Sequence, residues 1–152
     1  MFPPEGDLGE ILIDDATLQA RVREIGASIG RDLRGEVPLL IAILKGSVVF
    51  VADLMRAIEG PVEIDFMAVS SYGNNTKSSG IVKIVKDLDQ SVSGRHVILV
   101  EDIIDSGLTM QFLLDHISAP VTGFGADVFV AGARRPAGRR RSRRLHGVRC
   151  SW

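Results

Sequence analysis

Two short apolar runs constrain the fold of this chain more than any other feature. Val37-Pro38-Leu39-Leu40-Ile41-Ala42-Ile43-Leu44 and Val97-Ile98-Leu99-Val100 are continuous, with no polar residue on alternate positions. A strand solvated on one face alternates between apolar and polar, whereas a strand covered on both faces does not. Helical spacing follows each run: Val48, Val51, Leu54, Met55 and Ile58 after the first, and residues 108–117 after the second. Strands alternating with helices imply an α/β fold with a mainly parallel central sheet flanked by helices. Ligands of such sheets bind outside the carboxyl ends of the strands. Lys45 and Glu101 each stand just past a predicted strand end, so the chemistry is expected to converge there.

The remaining elements fit this frame. Asp14 or Asp15 is placed to cap a helix whose apolar face is Leu18, Val22, Ile25, Ile29 and Leu33, with Gly35 at its end. Residues 62–69 read as a strand, residues 70–80 as a polar loop of small residues, and residues 81–85 as an antiparallel return strand. A last strand is expected around residues 128–130. With 152 residues, one domain with a sizeable core is expected. Apolar residues at 45% against 24% charged exclude a disordered polyelectrolyte. No apolar run approaches the ~20 residues of a membrane span, and the first residues lack the basic-then-apolar pattern of a secretory signal. The single Cys150 has no internal disulfide partner, and a cytoplasmic location is the expectation.

The chemistry is concentrated in Val97-Ile98-Leu99-Val100-Glu101-Asp102-Ile103-Ile104-Asp105-Ser106-Gly107-Leu108-Thr109. Gly107 allows backbone to approach a ligand closely. The amides near Ser106 to Thr109 open a helix, and free helix-start amides favour phosphate. The hydroxyls of Ser106 and Thr109 add donors. Three carboxylates within five residues repel one another, by about 4 kcal/mol for a pair some 4 Å apart at an effective dielectric of 20. A ligand bearing hydroxyls, phosphate and magnesium relieves that repulsion. An acidic turn that merely caps a helix would use similar residue types but not the full thirteen-residue pattern.

That pattern resembles the phosphoribosyl pyrophosphate (PRPP) signature of the type I phosphoribosyltransferases. Other segments are similar to the hypoxanthine-guanine phosphoribosyltransferases in particular. Leu44-Lys45-Gly46-Ser47 resembles their pyrophosphate loop, in which the peptide before the Lys is often cis. Ser71-Tyr72-Gly73 resembles the start of their closing loop, and the runs 62–73 and 82–89 match bacterial members. The likeness spans roughly residues 8–117. It implies transfer of the phosphoribosyl group from PRPP to hypoxanthine or guanine, giving IMP or GMP and pyrophosphate, with Mg2+ as cofactor. It further implies that Glu101 and Asp102 hold the ribose hydroxyls and help to place the metal. Asp105, Ser106, Gly107, Leu108 and Thr109 would cradle the 5′-phosphate, with Asp105 as the catalytic acid or base. Lys45 and Gly46 would meet pyrophosphate, and Ser71 and Tyr72 would close over the site. A homo-oligomer, dimer or tetramer, is expected, and no membrane partner.

Two alternatives use other features. A PRPP-binding regulatory module with little turnover would suit an altered C-terminal end. A phosphoacceptor receiver domain also carries an acid pair beside a parallel strand, but there the acceptor comes from a different strand, whereas Glu101, Asp102 and Asp105 all follow one.

The resemblance fails toward the C-terminus. The family's purine-binding Lys, stacking aromatic residue and later metal-binding Asp have no assigned counterparts: no Lys follows Lys86, no acid follows Asp127, and Trp152 is the only aromatic residue after Phe129. Arg134 and Arg135 are the nearest stand-ins for that Lys, although Arg does not simply replace it. Charge marks the break. Residues 1–133 carry a net −9, whereas residues 134–152 hold eight Arg and no acid, within an overall −1. The expected organisation is therefore a phosphoribosyltransferase domain over residues 1–133 and an Arg-rich tail over 134–152. Three readings of the tail stand in order: a shifted reading frame, a solvated disordered end, and a nucleic-acid-binding arm.

Overall fold

The computed structural model describes residue 11 and residues 13–71, 82–104, 107–118 and 127–134, with Ser71 and 127–134 described as backbone. The elements run α1 (Asp15–Asp32), β1 (Leu39–Leu44), α2 (Val48–Ala57), β2 (Glu63–Ser71), β3 (Val82–Lys86), β4 (His96–Ile104), α3 (Leu108–Ser118) and β5 (Asp127–Arg134). The five strands form one sheet in the order β3-β2-β1-β4-β5. All pairs are parallel except β2–β3, the antiparallel hairpin expected from the sequence.

β1 and β4 are buried on both faces because their side chains feed two cores. Leu39, Ile41, Val97 and Leu99 pack with Met110, Leu113, Leu114 and Ile117 of α3. Leu40, Ala42, Ile98 and Val100 pack on the other face with Ile25 and Ile29 of α1 and Val51 and Leu54 of α2. The chain leaves β1 through α2 toward β2, and leaves β4 through α3 toward β5, on opposite faces and in opposite directions. The adjacent ends of β1 and β4 are therefore the switch point at which open α/β sheets form their ligand crevice.

α1 begins as expected: the Asp14 carboxylate accepts a hydrogen bond from the Thr17 amide at 2.7 Å. The helix closes before Gly35, whose φ of 90° suits glycine. Leu18, assigned to the apolar face by its spacing, is instead exposed, because the helix starts beyond the edge of the sheet core. Val48 and Met55 of α2 likewise face outward while Val51, Leu54 and Ile58 face in.

The close approach of α1 and α2 rests on Gly26. A Cβ there would lie 2.6 Å from the Ala57 carbonyl carbon and oxygen. Gly26→Ala should therefore lower stability by about 1–3 kcal/mol, since overpacking outweighs the roughly 0.5–1 kcal/mol that alanine gains in a helix. Denaturant unfolding checks this, and an increase in stability would show that the two helices yield freely.

Candidate active site

The structure corrects the sequence reading at the acid pair. Glu101 and Asp102 do not follow the strand; they lie inside it, since β4 continues to Ile104. Its pairing with β5 shifts register between Val100 and Ile103, where three steps along β4 face the two from Ala131 to Ala133. The pair thus occupies a β-bulge, a device that re-aims side chains at the rim of a sheet. Adjacent acids are poor strand formers, and for that reason the sequence pattern ends the strand early.

Burial makes this pair costly. Glu101 is partly buried, and its Oε2 is enclosed with no hydrogen-bond partner among the described residues. Burial, reinforced by the charge of Asp102, pushes the Glu101 carboxyl up to about 7. A raised carboxyl favours the folded state below its unfolded value and loses that advantage as pH rises through the folded value. The ligand-free protein should therefore lose stability between about pH 4.5 and 7 on account of Glu101. Glu101→Gln should flatten that loss and raise Tm at pH 8 by about 2–4 °C per kcal/mol recovered. Thermal melts across this range check it, and parallel profiles for the two proteins would contradict it.

The β1 side of the crevice comes directly against the acid pair. The Leu44–Lys45 peptide is cis, as the resemblance implied. Ser47 is buried, and its hydroxyl donates to the Ile43 carbonyl at 2.6 Å, tying the turn back onto the strand. Gly46 lies against Asp102: a Cβ on it would sit 2.7 Å from Asp102 Oδ1 and 2.8 Å from Cγ. A side chain here would displace the Asp102 carboxylate or the turn itself. Lys45 is exposed and, among the described residues, has no ion-pair partner. A lysine turn and an acid pair therefore meet at the adjacent ends of β1 and β4.

Beyond the bulge, Gly107 adopts a φ of 80° and opens α3, with the Gln111 amide donating to its carbonyl at 2.9 Å. Leu108 and Thr109 form the first turn of that helix. Asp105, Ser106 and Tyr72 lie outside the described residues, and Ser71 is the last residue of β2. Two features escaped the sequence reading. Ile103, between the acid pair and Asp105, is an exposed apolar residue at the crevice. Asp65 is a buried acid near the start of β2, and the sequence reading of that strand did not single it out.

A parallel sheet whose switch point presents a lysine-glycine turn against a bulged acid pair and a glycine-opened helix defines a phosphoribosyltransferase class of site. Residues 10–120 match the family model of the phosphoribosyl transferase domain. The chain is 50% identical over 119 residues to the hypoxanthine-guanine phosphoribosyltransferase of Mycobacterium avium, covering 74% of this chain and 59% of that protein. It is 50% identical over 109 residues to the Bacillus subtilis enzyme of the same name, covering 72% of this chain and 61% of that one. A crystal structure of a hypoxanthine-guanine phosphoribosyltransferase from Bacillus anthracis superposes with a TM-score of 0.78 at 43% identity, covering 93% of this chain and 83% of its own. The chain belongs to the hypoxanthine-guanine phosphoribosyltransferase family.

The chain spans about three-fifths of the length of the curated relatives it matches. The family match stops at residue 120, yet β5 continues the sheet in parallel register to Arg134. Arg134, read from the sequence as the first tail residue, is thus the last residue of a strand. The Arg-rich stretch from residue 135 onward lies outside the described residues.

Proposed function

We propose that this chain binds PRPP at the β1–β4 crevice and transfers its phosphoribosyl group to hypoxanthine or guanine. The observation that carries the proposal is the packing of Gly46 against Asp102, because it brings a pyrophosphate-type loop and a ribose-type acid pair into one site. In this reading Lys45 and the Gly46 backbone meet the pyrophosphate. Glu101 and Asp102 accept hydrogen bonds from the ribose hydroxyls. The 5′-phosphate rests on the amides from Ser106 to Thr109, where Gly107 leaves room for it and the N-terminus of α3 favours its charge. Ile103 offers an apolar surface to a flat base.

The bond from the anomeric carbon to pyrophosphate breaks as the bond to purine N9 forms. Asp105 takes the proton that N9 gives up, provided it lies within hydrogen-bond reach. The acid pair favours the positive charge that develops on the sugar, so catalysis here is positioning and electrostatics. Ser71 and Tyr72 contribute by excluding water from that cation.

The residues present suit Mg2+. Among the described residues Glu101 Oε2 has no hydrogen-bond partner, and magnesium characteristically takes one or two carboxylates plus phosphate oxygens. Glu101 and Asp102 would hold it, and bound there it neutralises charge on the departing pyrophosphate. Among the described residues no helix is long and apolar enough to cross a membrane. A cytoplasmic homo-oligomer accompanies the reading.

The test is transfer by the purified 152-residue chain supplied with PRPP and magnesium, with hypoxanthine and guanine assayed separately. IMP or GMP formation supports the proposal. PRPP binding without product points to a regulatory role, and neither activity overturns it.

A further inference from the structure

Asp65 is a buried charge with no part in the chemistry above. Only 4% of it is exposed, and it sits on the α3 face of β2, level with Ile41 of β1. It accepts hydrogen bonds from three amides: Phe66 at 2.7 Å, Asp89 at 2.9 Å and Gln90 at 3.1 Å. The Lys86 ammonium stands 3.8 Å away. That ammonium also donates to the carbonyls of Phe66 and Asp87, at 3.1 and 2.9 Å, and to Asp89 Oδ2 at 3.0 Å. Its pKa is raised, chiefly by the bond to Asp89.

Residues 87–95 belong to no strand, so their amides need acceptors from elsewhere. Asp65 supplies two of them. The segment it pins is a wall of the α3 core: Val92 is buried there, and Leu88 packs against the same cluster. The next contact reaches α3 itself. His116 Nε2, in the last turn of the helix, lies 3.1 Å from both carboxylate oxygens of Asp87, and its ring stacks on Phe112.

We infer that Asp65 is a positioning residue for the phosphate-binding end of α3, acting through the segment 86–92 and the Asp87–His116 contact. The inference rests on the PRPP reading for its consequence but not for its geometry. α3 is a helix of 11 residues, about 16 Å long, so a shift of its last turn is carried along the helix to the turn that follows Gly107. Without the carboxylate, all three amides lose this acceptor, the two of Asp89 and Gln90 among them, and the wall behind α3 slackens.

The experiment compares amide exchange in the full ligand-free chain with PRPP binding in magnesium. The Gln111 amide reports the first turn of α3, and the Val51 amide, bonded to Ser47 at 2.8 Å, reports the equivalent turn of α2. Asp65→Ala, which removes both accepting oxygens, should speed exchange at Gln111 at least about tenfold relative to Val51, as a local opening does. It should weaken PRPP about tenfold, with purine affinity unchanged. His116 is half-buried, and a thermal melt checks that His116→Gln folds; the variant should change both readouts in the same direction, by about two- to fivefold. Rates at Gln111 and Val51 that rise together, or a Gln111 rate unmoved in His116→Gln, would overturn the inference. If the unaltered chain takes up no PRPP, the proposed function fails, and the exchange comparison still decides the role of Asp65.

Discussion

Replacing Gly46 with valine should weaken PRPP binding about a hundredfold, because a misplacement near 1 Å in a preorganised site costs that much. The cause is steric. Even a bare Cβ at this position would lie 2.7 Å from Asp102 Oδ1, and valine adds two further carbons. Either the Asp102 carboxylate swings away from the ribose hydroxyls or the Lys45–Gly46 turn lifts from the pyrophosphate. Both outcomes separate the halves of the site. The fold should survive, since Gly46 is exposed and its turn is anchored by the buried Ser47 hydroxyl on Ile43. Calorimetric titration with PRPP and magnesium, alongside a thermal melt, distinguishes the two effects. Unaltered PRPP affinity would mean that the contact between the loops has no part in binding.

Asp105→Asn should lower kcat by about 10²–10⁴ at saturating PRPP, the range for loss of a positioned proton acceptor. The amide keeps the size and hydrogen-bonding capacity of the side chain but cannot take the N9 proton. Its effect on PRPP affinity should be far smaller than its effect on kcat if, as proposed, the phosphate rests on backbone amides at the start of α3. Glu101 and Asp102 offer no replacement base if they are engaged with ribose hydroxyls. Steady-state rates with hypoxanthine and guanine check this. An unchanged kcat would remove Asp105 from the proton transfer.

Much of the architecture was legible in the residues because burial on two faces leaves a plain signature. The runs ending at Leu44 and Val100 have no polar alternation, and both are central strands. The hairpin of β2 and β3 was legible for the opposite reason, a polar loop between two strand-like segments. Boundaries were less legible. Periodicity cannot see a β-bulge, so Glu101 and Asp102 looked like the end of a strand and are instead a kink within it. Nor does helical spacing say where a helix overhangs its sheet, which is why Leu18 faces solvent.

The residue types of the site were legible from their clustering after one strand, but its assembly was not. That Gly46 lies against Asp102 depends on strand order, which places β4 beside β1 although α2 and the β2–β3 hairpin intervene in sequence. Asp65 was hidden for a related reason. Its partners Asp89 and Gln90 are 24 and 25 residues away, and backbone amides carry no sequence signal.

The most direct measurement is titration of the purified 152-residue chain with PRPP in magnesium, repeated with excess pyrophosphate. The crevice between β1 and β4 predicts saturable one-site binding that depends on magnesium and is displaced by pyrophosphate. Absence of binding by the folded chain, or binding indifferent to both magnesium and pyrophosphate, would contradict the assignment of Lys45, Gly46, Glu101 and Asp102 to a single PRPP site.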